Sequence, residues 1–394
     1  MQRYTISVNR DSKVNLRDLI NRPPENFVDA VNFLIAEKGG LPQDAVLEFP
    51  TIGVLSASLT DKEAADLKAD PRVTQLREDR RVTGSPLLPS PIRVAGEFIA
   101  NDRPWHLDVI NAQKCWPTTT GKGIRIGVID SEIAPNLPFL PIKDGLSFNP
   151  SAPNWYGGSD FHGTFCAAII GCLPTHPSMI GVAPDCDLYA LRVNKNGSGR
   201  SEYLAAAIVW ATANKLDVLS MSQWDPDGAD DPHELPWDDV SRAADDYVKA
   251  GGILIGIAGN SGTFPKPWVT NPGRCSGVMA VGGTKRDTKW WDGSSYGPDD
   301  LAELESVEIA APGYAVNSIM PDGSVQAGVG TSFAAPQVAG ACALLKQVKP
   351  DLTGADLRAI LKKAARDLDI AGKDAKTGFG LLDCEQAVAS LLHV

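Results

Sequence analysis

The chain has 394 residues, enough for more than one domain and a large core, with 43% apolar and 22% charged residues. Thirty-seven basic against 48 acidic residues leave a net charge of −11, which argues against nucleic acid or an anionic membrane as the main partner. No apolar run reaches 18 residues, so no membrane span is expected. Seven scattered cysteines read as reduced thiols rather than a disulfide framework. The N-terminus alternates like a strand and lacks a signal peptide's apolar core, which makes a cytoplasmic location the expectation, or secretion if a signal has been removed.

In chain order, residues 1–82 read as a small α+β unit. Tyr4 to Val8 is a strand, and a helix opening at Pro24-Glu-Asn-Phe27 runs to Lys38. Two strands between Ala45 and Leu59 turn about Thr51-Ile-Gly53, and a Thr60/Glu63 capping box opens a helix to Ala69. A strand from Pro71 to Leu76 closes the ferredoxin-like β-α-β-β-α-β order. Residues 83–102, rich in Pro, Gly and Ser, read as a linker. From 103 to 394 strands and helices alternate. Strands are expected at Ile124–Asp130, Leu188–Val193, Val218–Ser222, Ile253–Gly259 and Val278–Gly282. Helices are expected at Gly163–Gly171, Glu202–Lys215, Asp238–Lys249, Ser332–Val348 and Gly354–Leu368. The pattern is that of an α/β domain, a parallel sheet flanked by helices on both faces.

Four polar residues stand at strand ends or helix starts. Asp130 closes an apolar strand, His162 opens an apolar helix, and Asn260 follows the strand ending Ile257-Ala-Gly259. Ser332 precedes a small-residue helix in Gly330-Thr-Ser-Phe-Ala-Ala-Pro336. Singly, each has a bland reading as a cap or turn residue. Together they supply an orienting carboxylate, a general base, an amide donor and a nucleophile, the parts that serine acyl transfer needs.

On these motifs the chain resembles the subtilisin-like serine peptidases. Val128-Ile-Asp-Ser131, His162-Gly-Thr164, Gly259-Asn-Ser-Gly262 and the serine motif follow the family's order, supported by Gly181-Val-Ala-Pro184, Ala310-Ala-Pro-Gly313 and Thr377-Gly-Phe-Gly-Leu-Leu382. The resemblance covers Trp105 to the C-terminus. It implies catalytic roles for Asp130, His162, Ser332 and Asn260, and an acyl-enzyme route on peptide or protein substrates. It also implies a substrate cleft formed by Ser222, Gln223, Trp224, Ile257, Ala258, Gly259 and Thr270, with a cis Asn271–Pro272 bond beside it. Residues 59–79 resemble the family's inhibitor-type propeptide, so the N-terminal unit is expected to act as an intramolecular inhibitor and to be cut off by self-processing in the linker. A maturation protease or macrocyclase and a peptide-binding pseudoprotease are the alternatives.

No cofactor is required and no metal ligand set is read. Calcium is possible but unsupported, because Leu173 to Ser178 lacks the oxygen-rich residues of the family's strong calcium loop. Departures from the family pattern carry their own expectations. Glu132 replaces a glycine and either raises the pKa of His162 or faces solvent. Phe165 stands where histidine is common, and Cys166 resembles the free thiol of the proteinase K branch. Trp224 stands where glycine is usual, a bulk that puts extended substrate binding in question. An acidic insertion, Asp225 to Glu234, reads as a solvated loop. The branched Ile257 and Thr270 predict a shallow pocket for the residue before the scissile bond, and neither Val269 nor Thr270 offers the acidic partner an arginine would need, despite the Arg80-Arg81 pair.

Overall fold

The computed structural model describes residues 1–10, 14–30, 32–33, 41–42, 45–83, 104–225, 236–297 and 306–392. The linker beyond Thr83 and the acidic insertion beyond Asp225 lie outside these residues.

The N-terminal unit is built from β1 (Gln2–Val8), β2 (Phe27–Asp29), β3 (Val46–Phe49), β4 (Val54–Leu59), helix α1 (Asp61–Lys68) and β5 (Val73–Glu78). Its sheet runs β2-β3-β4-β1-β5, with β1 between two antiparallel partners. Without the edge strand β2 this is the ferredoxin-like order expected from the sequence. Thr60 caps α1 through the Glu63 amide, and Glu63 returns a bond to the Thr60 amide, the capping box read from the sequence. The helix expected to open at Pro24-Glu-Asn-Phe27 starts later, with residues 30, 32 and 33 helical. Residues 24–26 form a single 3₁₀ turn and Phe27–Asp29 pairs with β3 as a parallel edge strand. The Phe-Val-Asp triplet is short, and sheet pairing overrides its helical context. Most of the remaining expected helix lies outside the described residues.

After β6 (Arg81–Val82) the chain enters the larger domain. Here α2 (Trp105–Val109), β7 (Arg125–Asp130), β8 (Ile142–Ser147), α3 (His162–Gly171), β9 (Asp187–Arg192), β10 (Gly199–Arg200), α4 (Ser201–Ala213), β11 (Val218–Met221), α5 (Asp238–Lys249), β12 (Ile253–Ile257), β13 (Val278–Thr284) and β14 (Ile309–Pro312) follow one another. A hairpin, β15 (Val316–Ile319) and β16 (Val325–Gly328), leads to α6 (Ala335–Val348), α7 (Gly354–Ala364) and α8 (Cys384–Leu392). Seven strands form one sheet in the order β14-β13-β12-β11-β7-β9-β8, every neighbouring pair parallel. The five expected strands are its interior. The edges β8 and β14 were missed, β8 because Ile142-Lys-Asp-Gly carries little apolar signal.

Period-two alternation sorts the strand side chains onto two faces. Ile126, Val128, Leu188, Ala190, Ile253 and Ile255 join the core beneath α3, α6, α7 and α8. Ile129, Leu191, Leu219, Met221 and Leu254 join the core beneath α4 and α5. That second core also takes in Leu47, Phe49, Ile52 and Val54, so the N-terminal sheet packs on α4 and α5. Polar contacts fix this docking. Arg77 reaches Asp239 at 2.8 Å and Ser201 at 2.9 Å, Arg242 donates to Val8 O and Ile52 O, and Arg3 meets the buried Glu202 at 3.0 Å. Asp79 accepts from Ser201 Oγ at 2.7 Å and from the Glu202 amide at 3.3 Å, satisfying donors in the first turn of α4. All seven cysteines are free and buried. Among the described residues, no helix is long and apolar enough to cross a membrane.

Candidate active site

The carboxyl ends of β7, β9, β11 and β12 meet the first turns of α3 and α6, the place where open α/β sheets bind ligands. Asp130 ends β7 and is fully buried. His162 begins α3, and its Nδ1 lies 2.7 Å from Asp130 Oδ1. Two contacts join these elements and a third caps the start of α3. Ser131 Oγ accepts from the Gly163 amide at 3.0 Å, Thr164 Oγ1 accepts from the Ala134 amide at 2.9 Å, and Asp160 accepts from the His162 amide at 3.0 Å. Gly163 is required by the approach itself, since a Cβ there would lie 2.7 Å from the carbonyl oxygens of Ser131 and Glu132.

Burial by itself would push the His162 imidazolium down. The negative charge of Asp130, together with the neighbouring Cys166 and the hydrogen bond to Asp130, more than offsets this, holding the pKa well above the ordinary 6.5. Glu132 takes neither of its expected roles. It is buried and ion-paired with the buried Arg192 at 2.8 Å, and it accepts from the Asp160 amide. Arg192, which the sequence reading missed, is spent on Glu132 and on the carbonyls of Asn154 and Gly157. Its only signal was a cation closing the apolar run Leu188–Leu191.

Ser332 lies in a 3₁₀ turn, Thr331–Phe333, just ahead of α6 rather than within it, with Pro336 in the first turn of α6. The tighter turn arises because Pro336 has no amide to donate back toward Ser332. Cys166, one turn into α3, ties the two motifs. Its Sγ is 3.4 Å from Ser332 O and 3.9 Å from His162 Nδ1, and burial pushes the thiol pKa up. Phe333 packs 5.6 Å from the His162 ring and 4.5 Å from Phe165. His162 Nε2 and Ser332 Oγ are both buried and have no hydrogen-bond partner among the described residues.

Asn260 is oriented by its acceptor. Oδ1 takes bonds from the Thr331 amide at 2.9 Å and Thr331 Oγ1 at 3.0 Å, leaving Nδ2 without a partner among the described residues. A methyl built on Gly330 would be 3.7 Å from the Ser332 amide nitrogen and 3.8 Å from Asn260 Nδ2. Both donors therefore border the space left open at Gly330 beside Ser332, where they could serve an oxyanion.

The expected cleft residues are also placed. Ser222 Oγ donates to Ser332 O at 2.9 Å. Gln223 and Trp224 follow it, both buried. The Trp224 indole does not obstruct an extended chain: it is turned into the core, and its backbone exchanges two 3.0 Å hydrogen bonds with Thr83. On the other side Arg81 and Val82 pair antiparallel with β10, so residues 81–83 run as a strand between Gly199–Arg200 and Trp224. Ile257 closes β12 within the main core, and Ala258 packs with Val269 in a small separate cluster. Gly259, at φ +110°, takes a conformation that favours glycine, and a Cβ there would lie 3.6 Å from the buried Thr270 Oγ1. The Asn271–Pro272 bond is cis, as expected.

Among the described residues, the one grouping of three His, Cys, Asp or Glu side chains within ligand reach is Asp130, His162 and Cys166. Its nitrogen and sulfur donors do not suit calcium, which takes six to eight oxygens.

Comparison with known proteins identifies the family. The model of the subtilase family matches residues 121–380, a span that contains Asp130, His162, Asn260 and Ser332. A thermostable alkaline protease of Halalkalibacterium halodurans is 35% identical over 346 residues, 87% of this chain and 85% of the relative. An alkaline protease of Alkalihalobacillus alcalophilus is 29% identical over 388 residues, 98% of this chain and 91% of the relative. The crystal structure of MycP1 from Mycobacterium smegmatis superposes with a TM-score of 0.63 at 25% identity, covering 79% of this chain and 89% of that one. The chain belongs to the subtilase family and is a subtilisin-like serine endopeptidase.

Proposed function

We propose that Asp130, His162 and Ser332 form the catalytic triad and that residues 1–82 are an inhibitory propeptide removed by self-processing between Val82 and Asp102. Ser332 Oγ attacks the peptide carbonyl while His162 Nε2 takes its proton. His162 then gives that proton to the departing amine, leaving an acyl-enzyme that water hydrolyses by the same route. Asp130 holds the imidazole through Nδ1, so that Nε2 is the nitrogen that exchanges protons with Ser332. Asn260 Nδ2 and the Ser332 amide receive the oxyanion. Ser332 Oγ and His162 Nε2 lack partners among the described residues, consistent with groups whose hydrogen bond tightens only once substrate is seated. Every step uses side chains of this chain, and none is assigned to calcium.

The observation that carries the reading is the buried Asp130–His162 pair, brought to the Ser332 motif through Cys166, whose Sγ lies 3.9 Å from His162 Nδ1 and 3.4 Å from Ser332 O, with Asn260 held beside that motif by Thr331. The propeptide role is supported by residues 81–83, which occupy the groove beside Ser332 as an extended strand, the conformation of a bound peptide. It is further supported by the relative whose match extends over the N-terminal unit.

A serine-directed fluorophosphonate tests the triad. The processed protein should take up one label, found on Ser332 by peptide mass, and His162→Ala should lose most of that labelling. Failure of the folded, processed protein to label would leave a peptide-binding pseudoprotease as the better reading.

A further inference from the structure

Two buried amides beneath the strand 81–83 are used neither by the fold nor by the triad. Across an antiparallel ladder, paired residues share a face and their neighbours point the other way. Thr83 pairs with Trp224, so Val82 and Gln223 both point away from that face, and Val82 pairs with Gly199. The shared side is buried, since Val82 and Gln223 are both 0% exposed. Asn194, also buried, donates Nδ2 to Gln223 Oε1 at 2.5 Å.

Asn194 Oδ1 and Gln223 Nε2 then have no partner among the described residues. Turning both amides over exchanges their roles but still leaves one acceptor and one donor. A Cβ built on Gly199 would lie 2.1 Å from Asn194 Oδ1 and 3.1 Å from Val82 Cγ2, so the amide oxygen and the valine methyl flank the same glycine. The unpartnered Asn194 Oδ1 thus stands beside the Val82 methyl, with Gln223 bonded to the same amide, and a methyl cannot complete that hydrogen bonding.

Building on the reading that residues 81–83 lie in the substrate cleft, we propose that Asn194 and Gln223 are specificity-determining residues. They select a hydroxyl-bearing side chain, threonine first, at the position held here by Val82. Threonine has the branched shape of valine, and its hydroxyl both donates and accepts, so it completes the amide pair without added volume.

The test uses the full-length Ser332→Ala chain, in which the segment stays attached. Val82→Thr should hold or raise the unfolding temperature there, and should lower it when Asn194→Leu and Gln223→Leu are also present. An equal drop in both backgrounds would overturn the proposal. Should the leucine pair fail to fold, a drop caused by Val82→Thr alone overturns it. A second arm gives the processed enzyme peptides copying its own sequence from Glu78 through the linker, with valine or threonine at position 82. Threonine should be favoured about 2- to 10-fold in kcat/KM, the range expected for one buried hydrogen bond, and a preference for valine would contradict the assignment. If no peptide is cut, the peptidase reading falls, while the unfolding arm still decides this one.

Discussion

At the scale of single residues, the balance between burial and charge at His162 sets a measurable property. Burial favours the neutral ring, and Asp130 at 2.7 Å favours the imidazolium and wins. A general base must be neutral to accept a proton, so activity should rise as pH increases through a value above 6.5. In Asp130→Asn the burial effect remains while its main opponent is lost, and the acidic limb of kcat/KM should move to lower pH while the rate itself falls steeply. An unmoved limb in that variant would show that another group controls it. Side-chain shape governs selectivity in the same way. Ile257 and Thr270 are buried and branched, and overpacking such a pocket costs about 1 to 3 kcal/mol, or roughly 5- to 150-fold in rate against a large ring. A peptide-library profile should therefore favour small or modest apolar residues before the scissile bond, and dominance of phenylalanine, tyrosine or arginine would contradict this.

At the scale of elements, α2 contains the clearest unrelieved burial. The His106 ring is fully buried, neither ring nitrogen has a partner among the described residues, and desolvation lowers its pKa to about 3. Unfolded, the ring titrates near 6.5, so between pH 6.5 and 3 the unfolded chain binds a proton that the folded chain does not. Stability must then fall as pH falls through that window. In a Ser332→Ala background, the drop in unfolding free energy from pH 6 to pH 4 should exceed that of His106→Leu by about 2 kcal/mol. Parallel acid sensitivity of the two proteins would exclude His106 as the cause. Nothing in Trp105-His-Leu107 signalled this burial, because a histidine beside a tryptophan is equally at home on a surface. The interior strands were legible because they are continuous apolar runs such as Ile126-Gly-Val-Ile129, whereas β8, written Ile142-Lys-Asp-Gly-Leu-Ser147, was not. The helix expected from Pro24-Glu-Asn-Phe27 begins later, at residue 30, for a related reason: pairing of residues 27–29 with β3 is a tertiary event that local propensity does not contain.

At the scale of the whole molecule, the N-terminal unit and the larger domain share the core over α4 and α5, and residues 81–83 continue that contact into the cleft. Asp130, His162, Asn260 and Ser332 could be picked out from the sequence because each stands in a short motif at an element boundary. Their support could not. The Glu132–Arg192 pair and the threonine at 331 that orients Asn260 depend on contacts between distant segments. The central claim is that Ser332 makes this chain a self-processing serine peptidase, and its most direct test compares purified wild type with Ser332→Ala, followed by mass and N-terminal sequence. Wild type should yield a fragment of about 30 kDa beginning between Val82 and Asp102, from the roughly 300 residues that follow the linker, while Ser332→Ala stays full length. Identical processing of both proteins, or full-length wild type that remains intact under conditions where Ser332 reacts, would contradict it.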